Sequence, residues 1–535
     1  MEQKHWEGEN SPPSFSAPKN QAAPARIPFS ASRPEVRAAL VSYPLAYFYY
    51  DRAFAGPFWM ALFTLLFCCA VEIFCRAMGR HTAPRESWFW LGCMGLVTAS
   101  LWLYGGPGTL WAGATVSGWD LLFLHGLAVY WVLCRTGMLA EGGTGPLVCL
   151  DLWNGALRLP FSGFFLRART LWQRAQAARA GKALPAVLLG LLVTCPLFLY
   201  ACRTLAAIDE HFGQLIQGLL TFEFSWRWGH FFFTLLVSLP VGCYLYGLAA
   251  GALRRKTGPV SGAAVRAAAE RARVAPPTAV GTVLFAFCAL YLLFFGVQSG
   301  YLFGAFAGRL PAGFTAAEYA RQGFFELCKI LLLNLGLLAA ASKVCRTPLR
   351  QNRALQTLGI LLCVCCELFA VVAGAKMGLY IARFGLTPRR VLASWAILVL
   401  AAWGGLAIAT LVRPFRAVRW AVWAAAGAFA LLCIAGPDEL IVRGNFALYR
   451  QGVSQALDSG VLRQCGARRD LGRLAARLMD CGWFLGRTID EVEMMLGAPS
   501  SASPGIAQWA LGTGKAPLTV RYSPADGTLT QASFT

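Results

Sequence analysis

Charge is scarce in this 535-residue chain: Asp, Glu, Lys and Arg together make up 14% of it, against roughly 25% in ordinary soluble domains. With 57% of residues drawn from Ala, Val, Ile, Leu, Met, Phe, Trp, Tyr and Cys, and a mean hydropathy of +0.52, the shortage excludes a soluble enzyme and a fully disordered chain. Acid is scarcer still, 26 Asp+Glu against 48 Lys+Arg, for a formal charge of +22. In a soluble protein that excess would suggest nucleic acid. Here the cations flank apolar runs, as they do in cytoplasmic loops that meet anionic headgroups, so the lipid bilayer is the expected partner and nucleic acid is not. Histidine is rare as well: His5, His81, His125, His211 and His230 are scattered, and no HExxH or HxxxH pair exists. Most of the 18 cysteines, Cys68, Cys69, Cys75, Cys363, Cys365 and Cys366 among them, sit inside apolar runs, where the thiol packs as a small hydrophobe. Cys363 and Cys366 spell CxxC but lack a second pair or a nearby His, so no metal is expected. There is no GxSxG elbow, no phosphate loop and no dinucleotide glycine pattern, and Gly512, Gly514 and Lys515 lack the upstream glycine a phosphate loop requires. No catalytic residue and no cofactor is expected.

What the chain has in quantity is apolar length. Runs fall at roughly 57–77, 87–105, 114–135, 184–204, 227–251, 279–304, 322–342, 355–375, 390–411 and 417–436. Each suffices for a membrane-crossing helix, the local structure that satisfies its own backbone in lipid. Ala38 to Phe54 is apolar as far as Tyr50 and reads as a short first span or an interfacial helix. The expected fold is mainly α: a polytopic bundle of about ten or eleven spans over 37–436. Residues 1–36, with Pro12, Pro13, Pro18, Pro24, Pro28 and Pro34, read as a disordered tail without the layout of a cleaved secretory signal. One set of loops is rich in cations: Arg76, Arg80 and Arg85; Arg135 through Lys182; Arg254 through Arg273; Lys343 through Arg353; and Arg413, Arg416 and Arg419. The alternate set is thinner, with Arg203, Arg227, Arg309, Arg321, Lys376, Arg383, Arg389 and Arg390. The positive-inside rule places the first set in the cytoplasm and the C-terminal region outside. Residues 164–180 suggest a helix lying in the headgroup layer, and 252–278 a basic linker with a short helix.

Polar residues inside the apolar runs are the candidate site. Gly296, Gly300, Gly304 and Gly308 recur every four residues, a flat stripe suited to close helix packing, and Gln298 lies among them. Glu326, Lys329 and Asn334 share one span and Glu367 lies in the next. An ionisable group at the bilayer centre costs about 2.5–3.5 kcal/mol on insertion scales, so it should face protein or water and have a partner. Glu326 and Lys329 are three apart on one helix face and so can neutralise each other. Alternatively, Glu326 and Glu367 form part of a proton- or cation-coupled site biased by Lys329. Glu72, Asp120 and His125 are lesser candidates.

After Pro437 the composition becomes that of a soluble protein. Residues 437–484 read as a helical connector, with helix around 449–457 and 468–480. In 485–535, Thr488 and Glu491 make a capping box, Gly497 stops the helix, and strands are expected near 506–511, 517–522 and 528–534 with Asp526-Gly527 at a hairpin. The segments QSGYLFG (298–304), AEYARQGFFEL (317–327), GLTPRRVLA (385–393) and PDELIVRGN (437–445) together resemble the bacterial polytopic membrane family catalogued as domain of unknown function 4173, close to family 4153. That resemblance implies an integral membrane protein and supplies no activity or site residues. LGRTIDEVEMMLGAP (485–499) followed by strands is similar to the SmpA/OmlA (BamE-like) envelope module, which implies a non-catalytic binding fold with an envelope protein partner, although the lipoprotein Cys of such modules is missing. The sequence thus points to a non-catalytic sensing, binding or assembly protein of the bacterial cytoplasmic membrane, with an ion-coupled permease built on Glu326, Lys329 and Glu367 as the alternative. A phosphatase reporter fused after Thr535 is expected to be active, since it folds only outside the cytoplasm; an inactive fusion contradicts the orientation.

Overall fold

A computed structural model describes residues 30–104, 116–177, isolated positions between 190 and 205, 226–254, 262–304, 324–453, 456–457, 462, 471–511 and 516–534. The tail expected over 1–36 lies outside the described residues as far as 29, and most of the apolar run 184–204 lies outside them too. Among the described residues the protein is mainly helical with a small antiparallel sheet at the C-terminal end. The first helix, α1 (Arg33–Asp51), starts at a Ser32/Glu35 capping box. It is followed by α2 (Pro57–Ala77), α3 (Arg85–Tyr104) and α4 (Val116–Thr136). The arginine-rich segment after α4 folds into α5 (Val148–Trp153), a π-turn at Asn154–Arg158, α6 (Leu159–Ser162) and α7 (Leu166–Ala177). Then come α8 (Trp226–Arg254), the short linker helix α9 (Gly262–Arg271), α10 (Pro277–Gly304), α11 (Phe324–Val344), α12 (Arg353–Phe384), α13 (Pro388–Val412) and α14 (Ala417–Ile434).

Seven of these, α2, α8 and α10 through α14, are long and apolar enough to cross a membrane. Helices α3 and α4 have the length, 20 and 21 residues, but Trp88, Trp90 and Trp102 in one, and Trp119, Asp120 and His125 in the other, dilute their apolar character. The spans form two bundles. One core gathers α2, α3, α4, the end of α8 and α14; the other gathers α10 through α13. Helix α14 follows α13 in sequence yet contributes Ala426, Phe429, Ala430 and Cys433 to the first core, so the last span returns to close the seam between the bundles.

The arginine-rich face is held by ion pairs joining helix ends. Arg254 at the end of α8 donates to Glu35 at the start of α1. Arg135 at the end of α4 reaches Glu72 near the end of α2 at 2.7 and 3.1 Å and donates to the Arg80 carbonyl at 2.8 Å. Glu86 at the start of α3 accepts from Arg419 of α14 at 3.0 Å, Trp423 Nε1 at 3.3 Å and the Thr144 amide at 3.0 Å. On the same face Ala275 pairs with the end of α11 through two backbone hydrogen bonds, and Gln356 donates to the Leu411 carbonyl at 2.8 Å. Long guanidinium stems let these charges sit where span meets headgroup while the apolar helix interiors stay dry.

Beyond α14 lie α15 (Pro437–Arg450), α16 (Leu471–Asp480) and α17 (Ile489–Leu496), then four antiparallel strands in order: β1 (Ser501–Ser503), β2 (Ile506–Trp509), β3 (Leu518–Tyr522) and β4 (Leu529–Phe534). The Thr488/Glu491 capping box forms as the sequence predicts, Glu491 accepting from the Thr488 amide at 3.0 Å. Ala507, Trp509, Leu518 and Val520 pack on the apolar faces of α16 and α17, and Trp509 Nε1 donates to the Gly497 carbonyl at 2.7 Å. The sequence predicts three strands; the structure adds β1, an exposed edge strand paired with β2 across a turn at Pro504 and Gly505, whose φ is +83°. Ser501, Ala502 and Ser503 carry no β-branched side chain to announce it.

Arg135 is the most enclosed of the face's cations, its side chain 1% exposed. Replacing it with Ala leaves Glu72 with Arg76 alone and takes the donor from the Arg80 carbonyl, and the expected cost is about 1.5–3 kcal/mol, read as a lowered unfolding midpoint on SDS titration of the detergent-solubilised protein.

Candidate functional site

The intramembrane residues singled out by sequence do not gather into one cluster. Glu326 and Lys329, both exposed at the start of α11, form no ion pair with each other. The cation that feels the Glu326 carboxylate is Lys376 of α12, itself 2% exposed. Sequence reading put Lys376 in a loop because the apolar run was closed at 375; the helix continues to Phe384, a 32-residue element, and draws Lys376 inside it. Asn334, one to two turns further along α11, is buried: its Oδ1 accepts from Tyr291 of α10 at 2.7 Å, and its Nδ2 has no hydrogen-bond partner among the described residues. Glu367 turns the other way and lies over Gly404 of α13, where a Cβ would collide with its Oε1, an oxygen without a hydrogen-bond partner. Gly296 of α10 has no described neighbour within 4 Å of where a Cβ would stand. The side chain of Gln298, the surroundings of Gly300 and Gly304, and Gly308 as a whole lie outside the described residues.

The most tightly built polar constellation lies instead at the far end of the bundle, where the C-terminal region joins it. The α12–α13 turn is made by Gly385, Leu386 and Thr387. Gly385 has φ +76°, and an added Cβ would meet Asn445 Oδ1 at 2.7 Å and Ala456 Cα at 2.9 Å, so glycine is required on both counts. Asn445 of α15, 1% exposed, holds both backbone polar groups of the next residue: its Oδ1 accepts from the Leu386 amide at 2.5 Å and its Nδ2 donates to the Leu386 carbonyl at 2.9 Å. Thr387 caps α13 by accepting from the Arg390 amide at 3.2 Å. The Arg390 guanidinium donates to the Phe384 and Gly385 carbonyls at 2.8 and 2.5 Å, and lies 4.0 Å over the Tyr380 ring. It thus covers the carbonyls that the end of α12 leaves open.

Helix α15 is shared between two bodies. Its Ile441, Val442 and Phe446 enter the core of the C-terminal region, and Leu386 and Val391 of the turn pack against that same core. Glu439, in the first turn of α15, accepts from Arg477 of α16 at 2.7 Å and from Arg443 at 2.7 Å. Partial burial pushes the Glu439 carboxyl up, but the two guanidiniums outweigh it, and the net effect holds it below the usual carboxylate range. Sequence reading took Arg390 as a flanking charge and Asn445 only as part of a motif. The cue available was their company: Gly-x-Thr-Pro around a helix start, and an Asn in the apolar stripe of an amphipathic helix.

Two of the four segments behind the resemblance, 385–393 and 437–445, are therefore the two halves of one joint. The family model for Domain of unknown function (DUF4153) matches residues 92–470, which contain both halves and most of the described spans. The chain belongs to the DUF4153 family. The match is to DUF4153 rather than to its neighbour 4173, and it stops before α16, so α17 and the sheet lie beyond the DUF4153 region. No curated protein and no solved structure matches the chain.

Asn445→Ala removes both side-chain partners of Leu386 and leaves a buried amide and carbonyl unsatisfied. Stability of the joint is expected to fall by about 2 kcal/mol, seen as faster hydrogen exchange at the Leu386 amide, while exchange in α2 and α4 is unchanged.

Proposed function

We propose that this DUF4153 protein is a non-catalytic sensing or binding protein of the bacterial cell envelope, seated in the cytoplasmic membrane, whose C-terminal region lies outside and engages an envelope protein. One observation carries the reading: the C-terminal core is continuous, through α15 and Asn445, with the α12–α13 turn, so an event on the sheet-bearing module is felt by two membrane helices. In this reading 1–36 is a tail, 37–436 the membrane domain, 437–484 the connector and 485–535 the binding module, in keeping with its likeness to SmpA/OmlA proteins. Leu485 and Met494, 84% and 55% exposed on and beside α17, offer the module an apolar contact surface.

The ion-coupled permease is favoured by a different observation, the buried unpartnered Oε1 of Glu367 beside Gly404. The two readings separate in one experiment. A photo-crosslinking residue at Met494 of the full chain in cells is expected to trap a discrete envelope protein, and Asn445→Ala is expected to leave the adduct but abolish the cellular phenotype of the protein. Absence of any adduct at Met494 and Leu485, with a pH-dependent phenotype lost in Glu367→Gln, overturns the binding reading in favour of transport.

A further inference from the structure

The seam between the bundles holds a cavity of about 760 Å³ bounded by α3, α4, α13 and α14, with the short helix α5 closing the arginine-rich end. That size falls in the range of small-molecule pockets, about 300–1,000 Å³. Its wall is almost wholly apolar and rich in aromatic rings, including Trp90, Trp119, Trp395 and Trp403. Two of these indoles break the rule that a buried N–H finds an acceptor. Trp403 Nε1 donates to the Ala421 carbonyl at 2.9 Å, and nearby Trp423 donates to Glu86, whereas Trp90 Nε1 and Trp395 Nε1 are buried with no hydrogen-bond partner. Trp90 is 4% exposed. A chamber with so apolar a wall is shaped for a mostly hydrocarbon ligand.

We infer that this chamber binds one acyl chain of an anionic glycerophospholipid from the leaflet at the arginine-rich face. Three features fix the choice. The walls belong to membrane helices, so the medium at that depth supplies acyl chains. Trp90 stands five residues into α3 from Arg85, about 7.5 Å at 1.5 Å per residue, which matches a headgroup layer roughly 5–8 Å deep above the hydrocarbon. Finally, Arg85 at the start of α3 and Arg416 just ahead of α14 are exposed at that same end, where a lipid phosphate would lie. Arg419, between them and the cavity, is engaged with Glu86 and Trp423 and shapes the mouth rather than the ligand site. Trp395 lies toward the opposite end, alongside chain methylenes.

Native mass spectrometry of the full-length protein released from nanodiscs containing phosphatidylglycerol and phosphatidylethanolamine tests this. The wild type is expected to retain one phosphatidylglycerol through delipidation. Ala425→Trp, which fills the chamber, is expected to abolish retention, and Arg85→Gln with Arg416→Gln to erase the preference for phosphatidylglycerol over phosphatidylethanolamine. Full retention by Ala425→Trp overturns the proposal, as does an undiminished preference for phosphatidylglycerol in the double arginine variant. Should Ala425→Trp fail to fold, Arg85→Gln with Arg416→Gln decides alone.

Discussion

The absence of water between the two faces governs everything the membrane part does with charge. Carboxylates and guanidiniums are costly when left singly among apolar helices, so apart from Glu367 the carboxylates described above appear at helix ends, most of them in company: Glu35 with Arg254, Glu72 with Arg135 and Arg76, Glu86 with Arg419. Each of the cross-helix pairs joins the start or end of one helix to an end of another that is distant in sequence, 219 residues apart in the first case and 333 in the last. The excess of arginine over acid on that face therefore has two uses. A few cations fix the relative height of the helices, and the remainder stay exposed to headgroups.

The opposite face is held differently. There side chains satisfy the backbone of a turn, with the neutral amide of Asn445 occupying both polar groups of Leu386 and the Arg390 guanidinium covering the carbonyls that end α12. A neutral amide that satisfies a buried peptide unit has no counterpart to lose to salt, and it admits little change in angle. The result is a turn that cannot move without moving α15, and α15 cannot move without disturbing the core behind the sheet. The same geometry explains why segments 50 residues apart share a family pattern: Gly385 is glycine because Asn445 and Ala456 stand where its Cβ would be.

Legibility followed the range of the interaction. Apolar period and length located the spans, and the Thr488 capping box and the Asp526-Gly527 turn located the ends of α17 and the last hairpin, because each depends on residues within a few positions of one another. Lys376 was misread since nothing local distinguishes a lysine that ends a span from one that a longer helix carries beside Glu326. Asn334 is visible as a polar residue in an apolar run, but its partner, Tyr291, comes from another helix. Strand β1 escaped because Ser, Ala and Ser carry no period at all.

The returning course of α14 explains why the seam is hollow. A helix that packs between α3 on one side and α13 on the other must satisfy two surfaces at once, and it does so with Ala425, Ala426 and Ala430, residues too small to fill both. Large aromatic rings from α3, α4 and α13 supply the remaining wall, and rings do not interdigitate as aliphatic side chains do, so space is left between them. A void of that size within a protein core would lose dispersion contacts on every lining atom. Placed against a bilayer, the same void is open to the one abundant apolar molecule around it, whose acyl chains restore the dispersion contacts that the lining atoms lack.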